Sequence, residues 1–151
     1  MEAVEAILKA TNWEFESRAK PRAVLAGYEI DKSHQALLGI AMDDDRGSVI
    51  FGSSYVFKSP RHLHTRIRNF LIDEADILYG ANIQFSPTQG VHINTRCWLP
   101  NLDLDSTQLQ AVLEPYLRGL LKTSTYLFPR LITFLEKNDN PRSQDEFCFP
   151  S

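Results

Sequence analysis

The chain has 151 residues, of which 43% are hydrophobic and 23% charged, with a formal net charge of −3. That length suits one domain burying about 70% of its unfolded surface, so the core needs no disulfide or metal staple. The mildly acidic balance argues against broad attraction to nucleic acid or anionic membranes.

The opening residues, MEAVEAILKATNWEFES, carry acids early and lack the basic and apolar regions of a secretory signal. No apolar run approaches the ~20 residues that cross a bilayer. Two cysteines fifty residues apart, Cys97 and Cys148, make neither a disulfide framework nor a CxxC motif. A reducing, cytoplasmic setting is therefore expected.

In EAVEAILKAT, Val4, Ile7, Leu8 and Thr11 recur at helical spacing, which predicts a short amphipathic helix. Three runs of strand composition follow: AVLAGYEI (23–30), QALLGIAM (35–42) and SVIFGSSYVF (48–57). The short links DKSH and DDDRG make an antiparallel meander the natural arrangement. Ser59 can cap a second helix with Pro60 at its first position. Its apolar stripe is Leu63, Ile67, Phe70, Leu71, Ala75 and Leu78.

Two more strands, ANIQFS (81–86) and VHINTRCWL (91–99), are joined by PTQG. In the second, Val91, Ile93, Thr95 and Cys97 face one way and His92, Asn94, Arg96 and Trp98 the other. From Asp105 or Ser106 a long helix presents Leu109, Val112, Leu113, Tyr116, Leu117, Leu120 and Leu121. Pro115 and Pro129 should kink or interrupt it, because each removes a backbone hydrogen bond. The expected domain spans residues 1–137, with 138–151 a flexible tail ending in the apolar FCFPS.

The order is α-β-β-β-α-β-β-α, an α+β plan with helices packed on a five-stranded antiparallel sheet. Its most telling stretches are RIRNFLIDEADILYGANIQFSPTQGVHINTRCWLP and STQLQAVLEPYLRGLLKTSTYLFPRL. A helix there leads into a hairpin and then a long helix ending in an aromatic-Pro-x-Leu turn. In this the chain resembles the YbjN-like family and the class I type III secretion chaperones that share its fold. The resemblance covers roughly residues 1–137 as a pattern rather than as residue identities. It implies a non-enzymatic, often dimeric protein that binds segments of other proteins. Small cyanobacterial assembly chaperones, including one acting on the carboxysome shell, are similar in length and layout. The Pro115 position and the FCFPS tail depart from the pattern.

The stretch SPRHLHTRIR (59–68) gathers three arginines and two histidines. Two residues apart on a helix, His62 and His64 point to nearly opposite sides and cannot share a metal. Arg61, Thr65 and Arg68 make one flank, and His62, Arg66 and Asn69 the other. A solvated helix face explains them, but cations in a first helical turn oppose the helix dipole. An acid should compensate, either from Asp43–Asp45 or from a partner. RGSVIFGSSYVF superficially resembles an RNA-binding strand motif, but the element order is wrong for that fold. MDDDRG lacks the spacing of a calcium loop and reads as a turn. No phosphate loop, His-Glu-x-x-His or Gly-x-Ser-x-Gly occurs. No cofactor, metal or nucleic acid is expected.

The glycines are more informative. With hairpin turns at Lys32–His34 and at Asp45–Arg46, Gly27 lies opposite Gly39 and Gly39 opposite Gly52. These glycines form a row on one face, among Leu25, Leu37, Ile50 and Val56. The other face is bulkier, with Val24, Tyr28, Leu38, Ile40, Phe51 and Tyr55. Glycine in a strand marks close approach by another backbone. One reading places the chain's own long helix in the trough; the other leaves one face open for a guest segment or a second copy. With apolar residues on both faces, three helices fall short of full cover, which favours an interface. The expected partner-binding residues are Leu25, Leu37, Ile50 and Val56, the basic Arg61 and Arg66, and Arg96 and Trp98 on the last strand. Two rival classes are a structural subunit of a larger complex and a small-molecule enzyme with dispersed residues near His92.

Overall fold

The computed structural model describes residues 2–10, 13–19, 22–74, 81–99 and 104–138. Among them α1 (Glu2–Ala10) leads to β1 (Glu16–Ala19), β2 (Arg22–Asp31), β3 (His34–Asp43) and β4 (Ser48–Tyr55). A 3₁₀ turn (Arg61–Leu63) opens α2 (His64–Glu74), and β5 (Asn82–Ser86), β6 (Gly90–Trp98) and α3 (Ser106–Asn138) follow. The strands form one sheet in the order β1-β2-β3-β4-β6-β5, antiparallel throughout. The α+β plan is as expected, but the sheet has six strands and not five. The extra one is β1, whose four residues are all exposed and show no apolar alternation. Pairing with β2, from Glu16–Leu25 to Ala19–Arg22, makes it a strand.

The first hairpin is tighter than expected. Its turn is Lys32–Ser33, closed by the pair Asp31–His34. The Asp31 carboxylate accepts the Ser33 amide at 2.8 Å and lies 2.8 Å from His34 Nδ1, which fixes the turn locally. A bulge between Glu29 and Asp31 takes up the odd residue. Leu25, not Gly27, therefore sits opposite Gly39, and Gly27 sits opposite Leu37. Gly39 does pair with Gly52. A two-residue slip preserves side-chain parity, so the three glycines still share one face.

The helices pack on the other face. Val24, Leu38, Ile40, Phe51 and Ile93 are each about 1% exposed or less, and form one core with Leu8 of α1, Ile67 of α2, and Leu113, Leu127, Phe128 and Leu131 of α3. The long helix thus lies on the bulky face, and not in the glycine trough. Burial scales with apolar area removed from water, at about 25 cal/mol per Å², and the aromatic face offers more of it.

α3 is α-helical straight through Pro115 and Pro129, both exposed. Each proline forfeits one bond on the solvent side, where water can take the freed carbonyl, while the buried leucine stripe holds the helix in place. No interruption results. The helix ends at Asn138, one residue into the expected tail; residues 139–151 lie outside the described residues.

α2 is anchored by buried Leu63, Ile67 and Leu71 and by Phe70, whose ring stacks on Phe134 at 4.7 Å. Ala75 and Leu78 of the expected stripe lie outside the described residues. Ser59 is not its cap. Pro60 occupies that position without a side-chain hydrogen bond, and Ser59 Oγ has no partner among the described residues. Instead the Ser59 amide donates to Pro87 O at 3.1 Å, tying the helix entrance to the β5–β6 turn. At its other end buried Glu74 accepts from Tyr126 Oη at 3.1 Å and Arg130 Nη2 at 3.0 Å, which clamps α2 to α3.

Among the described glycines Gly90 is the most confined. Its φ is +93°, and a Cβ there would fall 2.2 Å from Tyr55 O and 2.8 Å from Phe57 N. Both contacts are backbone, so nothing can swing aside. Gly90→Ala should cost at least about 2 kcal/mol from conformational strain and overlap together. Urea unfolding checks it: the midpoint falls while the slope stays constant.

Candidate partner-binding face

Strand alternation sends Leu25 and Gly27 of β2, Leu37, Gly39 and Ala41 of β3, and Ile50, Gly52 and Ser54 of β4 to the face away from the helices. The β4–β6 register continues it: Ile50 opposite Arg96, Gly52 opposite Asn94, and Ser54 opposite His92. Asn82 and Gln84 of β5, paired with Asn94 and His92, complete it. The glycine trough and the polar surface of the last hairpin, separate features in the sequence, are thus one surface.

On this face Leu37 is 57% and Trp98 62% exposed, while Leu25 and Ile50 are half-buried. Val56 is exposed just past the end of β4. A groove of about 550 Å³ runs along Leu25, Gly27 and Leu37 and is rimmed by Glu14, Phe15, Glu16 and Arg18. Glu16 and Arg18 of this rim belong to β1, which shows no apolar alternation, and Glu14 and Phe15 lead into it. A larger cavity of about 770 Å³ lies on the helix side, between α3 and the start of β5.

Arg61 and Arg66 do not join the face. Both belong to the α2 region in the helix layer, and Arg66 Nη1 donates to Asn138 Oδ1 at 3.0 Å at the end of α3. Nor do Asp43–Asp45 compensate the basic stretch 59–68 among the described residues. Asp43 Oδ2 lies 2.8 Å from Arg96 Nη1 and 3.9 Å from Arg46 Nε, and Asp44 lies 3.6 Å from Arg22.

This pairing serves the face. Arg96 also donates to Ser48 Oγ at 2.6 Å, and its guanidinium sits 5.2 Å from the centre of the Trp98 ring. A cation held by a carboxylate and a hydroxyl thereby orients the exposed indole. The Arg96 hydrogen bond in turn holds the Asp43 carboxyl below its ordinary range.

His92 lies against Gly52 with its Nδ1 2.6 Å from Ser54 Oγ. A Cβ on Gly52 would come within 2.7 Å of His92 Cε1, so a side chain there would displace the ring from this position. Burial pulls the His92 pKa below its ordinary value. Cys97 faces the opposite way, as expected, is 1% exposed, and burial raises its thiol pKa. Among the described residues no carboxylate hydrogen-bonds His92, and no three His, Cys, Asp or Glu side chains gather where a metal could bind. No described helix is long and apolar enough to cross a membrane.

No family model and no curated protein sequence matches the chain. Among solved structures it is similar to a chain of the ExsC–ExsE complex, at 11% identity and a TM-score of 0.52. The match covers 83% of this chain and 90% of that one. At that identity the likeness is one of fold, and it fits an α+β sheet covered by helices.

The half-buried His92 gives a pH prediction. Its folded-state pKa is lowered, so the unfolded chain binds the proton more readily. The stability it contributes is full above about pH 6.5 and is lost as pH falls from there through the lowered folded value. Urea titrations at neutral and mildly acidic pH should show His92→Gln losing less stability on acidification than the parent chain. Equal losses would mean that other groups carry the effect.

Proposed function

We propose that this chain is a non-enzymatic protein-binding chaperone or assembly factor that holds a segment of a client on its open sheet face. One observation carries the reading: a whole sheet face, with Leu37 and Trp98 exposed and a groove along Leu25 and Gly27, has no described helix over it. Large apolar side chains left exposed at both ends of a sheet face that no described helix covers are the feature we take as an interaction surface. The similar fold belongs to a chain solved as part of a two-protein complex, which accords with a protein partner.

The binding step would be passive. An extended or helical segment lays apolar side chains over Leu25, Leu37 and Ile50, while Asn82, Gln84, Asn94 and Arg96 offer hydrogen bonds and Trp98 an aromatic anchor. Burial excludes water, and no bond is made or broken. A segment so covered cannot associate wrongly before assembly. The YbjN-like and secretion-chaperone resemblance in element order suggests a homodimer working in the cytoplasm, as a single domain ending near residue 137 with a tail beyond. Likeness in length and layout to the small cyanobacterial chaperones suggests a carboxysome shell component as one specific client.

The test is affinity capture with the full chain and with Leu37→Asp and Trp98→Ala. Both residues are more than half exposed, so the variants should fold within about 0.5 kcal/mol of the parent. Leu37→Asp should reduce recovery of specific partners at least about tenfold, the loss expected from an apolar anchor in an interface. If both folded variants retain every partner, the face is not the binding surface. A structural subunit would instead show one stoichiometric partner that survives purification.

A further inference from the structure

α2 carries its cations where a helix least favours them. Arg61 sits in the 3₁₀ turn, His64 opens the α-helix and Arg68 follows one turn on. Among the described residues neither Arg61 nor Arg68 forms an ion pair, and three of the acids that could meet them are engaged elsewhere. Asp43 and Asp44 hold Arg96 and Arg22, and Glu74 holds Arg130. Arg61, Thr65, Arg68 and Ile72 fall at helical spacing along one flank, all exposed, with Ile72 68% exposed.

This flank borders the last strand of the sheet. The Arg68 guanidinium lies 5.7 Å from the centre of the Phe85 ring, and the His64 ring lies 6.0 Å from it. β5 pairs only with β6, so its outer edge is unpaired among the described residues. Its residues, NIQFS, include no lysine, proline or inward-turned charge of the kind that blunts an edge against pairing. A free ladder of backbone donors and acceptors thus runs beside an unpaired positive stripe.

We infer that the β5 edge and the Arg61–Arg68–Ile72 stripe bind an acidic, extended polypeptide segment as one more strand. This surface is distinct from the open face and does not depend on its occupancy. Alternate residues of an added strand point to the helix layer and to the open face. Carboxylates on the first side meet Arg61 and Arg68, and the aliphatic stem of one of those acidic side chains covers Ile72. The ladder supplies bonding common to any polypeptide, and the two arginines select for acid. Polypeptide is favoured over nucleic acid because unpaired strand amides match a peptide backbone and the chain as a whole is acidic, at −3.

The test uses the full ¹⁵N-labelled chain titrated with a decapeptide alternating glutamate and valine, with its glutamine–valine counterpart, and with oligothymidine. The acidic peptide should bind about tenfold more tightly than the neutral one, as two or three partly exposed ion pairs allow, and the margin should close at about 0.5 M salt. Amides of Ile83, Gln84 and Phe85 should shift, and those directed away from β6 should exchange more slowly with solvent. Replacing both arginines by glutamine should erase the preference for acid, and replacing both by lysine should retain most of it. Leu37→Asp, on the open face, should leave it unchanged. Equal binding of the two peptides, unmoved β5 amides, or tighter binding of the oligonucleotide would each overturn the inference. So would β5 protection in the free chain that grows with protein concentration, the sign of a second copy. Protection in the free chain that is lost on truncation after Asn138, the sign of the chain's own C-terminal residues, would overturn it too.

Discussion

A strand sends successive side chains to opposite sides, and the described helices cover only one of them. That constraint organises the molecule. Once Phe51, Leu38 and Ile40 turn toward α3, their neighbours Gly52, Leu37, Gly39 and Ile50 must turn away. α1 packs against α3, α2 is clamped to α3 through Glu74, and both add to the same layer. Each helix that strengthens the core therefore leaves the other face as bare as before. The open face follows from the fold's own economy of cover, without any need for a special loop or lid.

Much of this was legible in the sequence, because alternation and helical spacing are local. The runs at 23–30, 35–42 and 48–57, the last hairpin and the long helix all carry their pattern within a few residues. β1 carries none: Glu16, Ser17, Arg18 and Ala19 become a strand only because β2 lies beside them. The first hairpin's register was misread for a similar reason. Asp31 closes a two-residue turn and a bulge absorbs the remainder, details that turn composition alone leaves open. The helix continues past Pro115 and Pro129 because both stand on its exposed side while the leucine stripe opposite is buried, a placement that composition alone leaves open.

The shared face was half legible. Alternation alone turns Leu25, Leu37 and Ile50 to one side of their strands and Arg96 and Trp98 to one side of theirs, but as two surfaces. What unites them is that β6 lies between β4 and β5, so that Ile50 meets Arg96 across a ladder. Sequence order gives no hint of that insertion. Arg61 and Arg66 were grouped with the face on charge alone, and charge says nothing about layer. The Arg96–Asp43 contact was equally hidden: it joins residues 53 positions apart and redirects the acidic turn from the basic helix to the anchor beside Trp98.

The three glycines of the row turn out to differ in what holds them. Gly52 makes room for the His92 ring in its present position, since a Cβ there would strike it. Gly27 and Gly39 face no such clash: added Cβ atoms would meet only Ala36 O at 3.9 Å and Leu25 Cδ2 at 3.5 Å, ordinary contact distances. Glycine inside a regular element nevertheless costs about 0.5–1 kcal/mol relative to alanine. At Gly27 and Gly39 the fold carries that cost with no described contact that requires it. Both sit on the open face, and Gly27 lines the groove along Leu25 and Leu37. A floor without side chains lets a second backbone come within van der Waals reach of the sheet, which alanine methyls would hold off. The cost becomes intelligible if the trough is shaped for an occupant other than the described helices. Its leucine walls fit apolar side chains, and its bare floor fits the backbone that bears them.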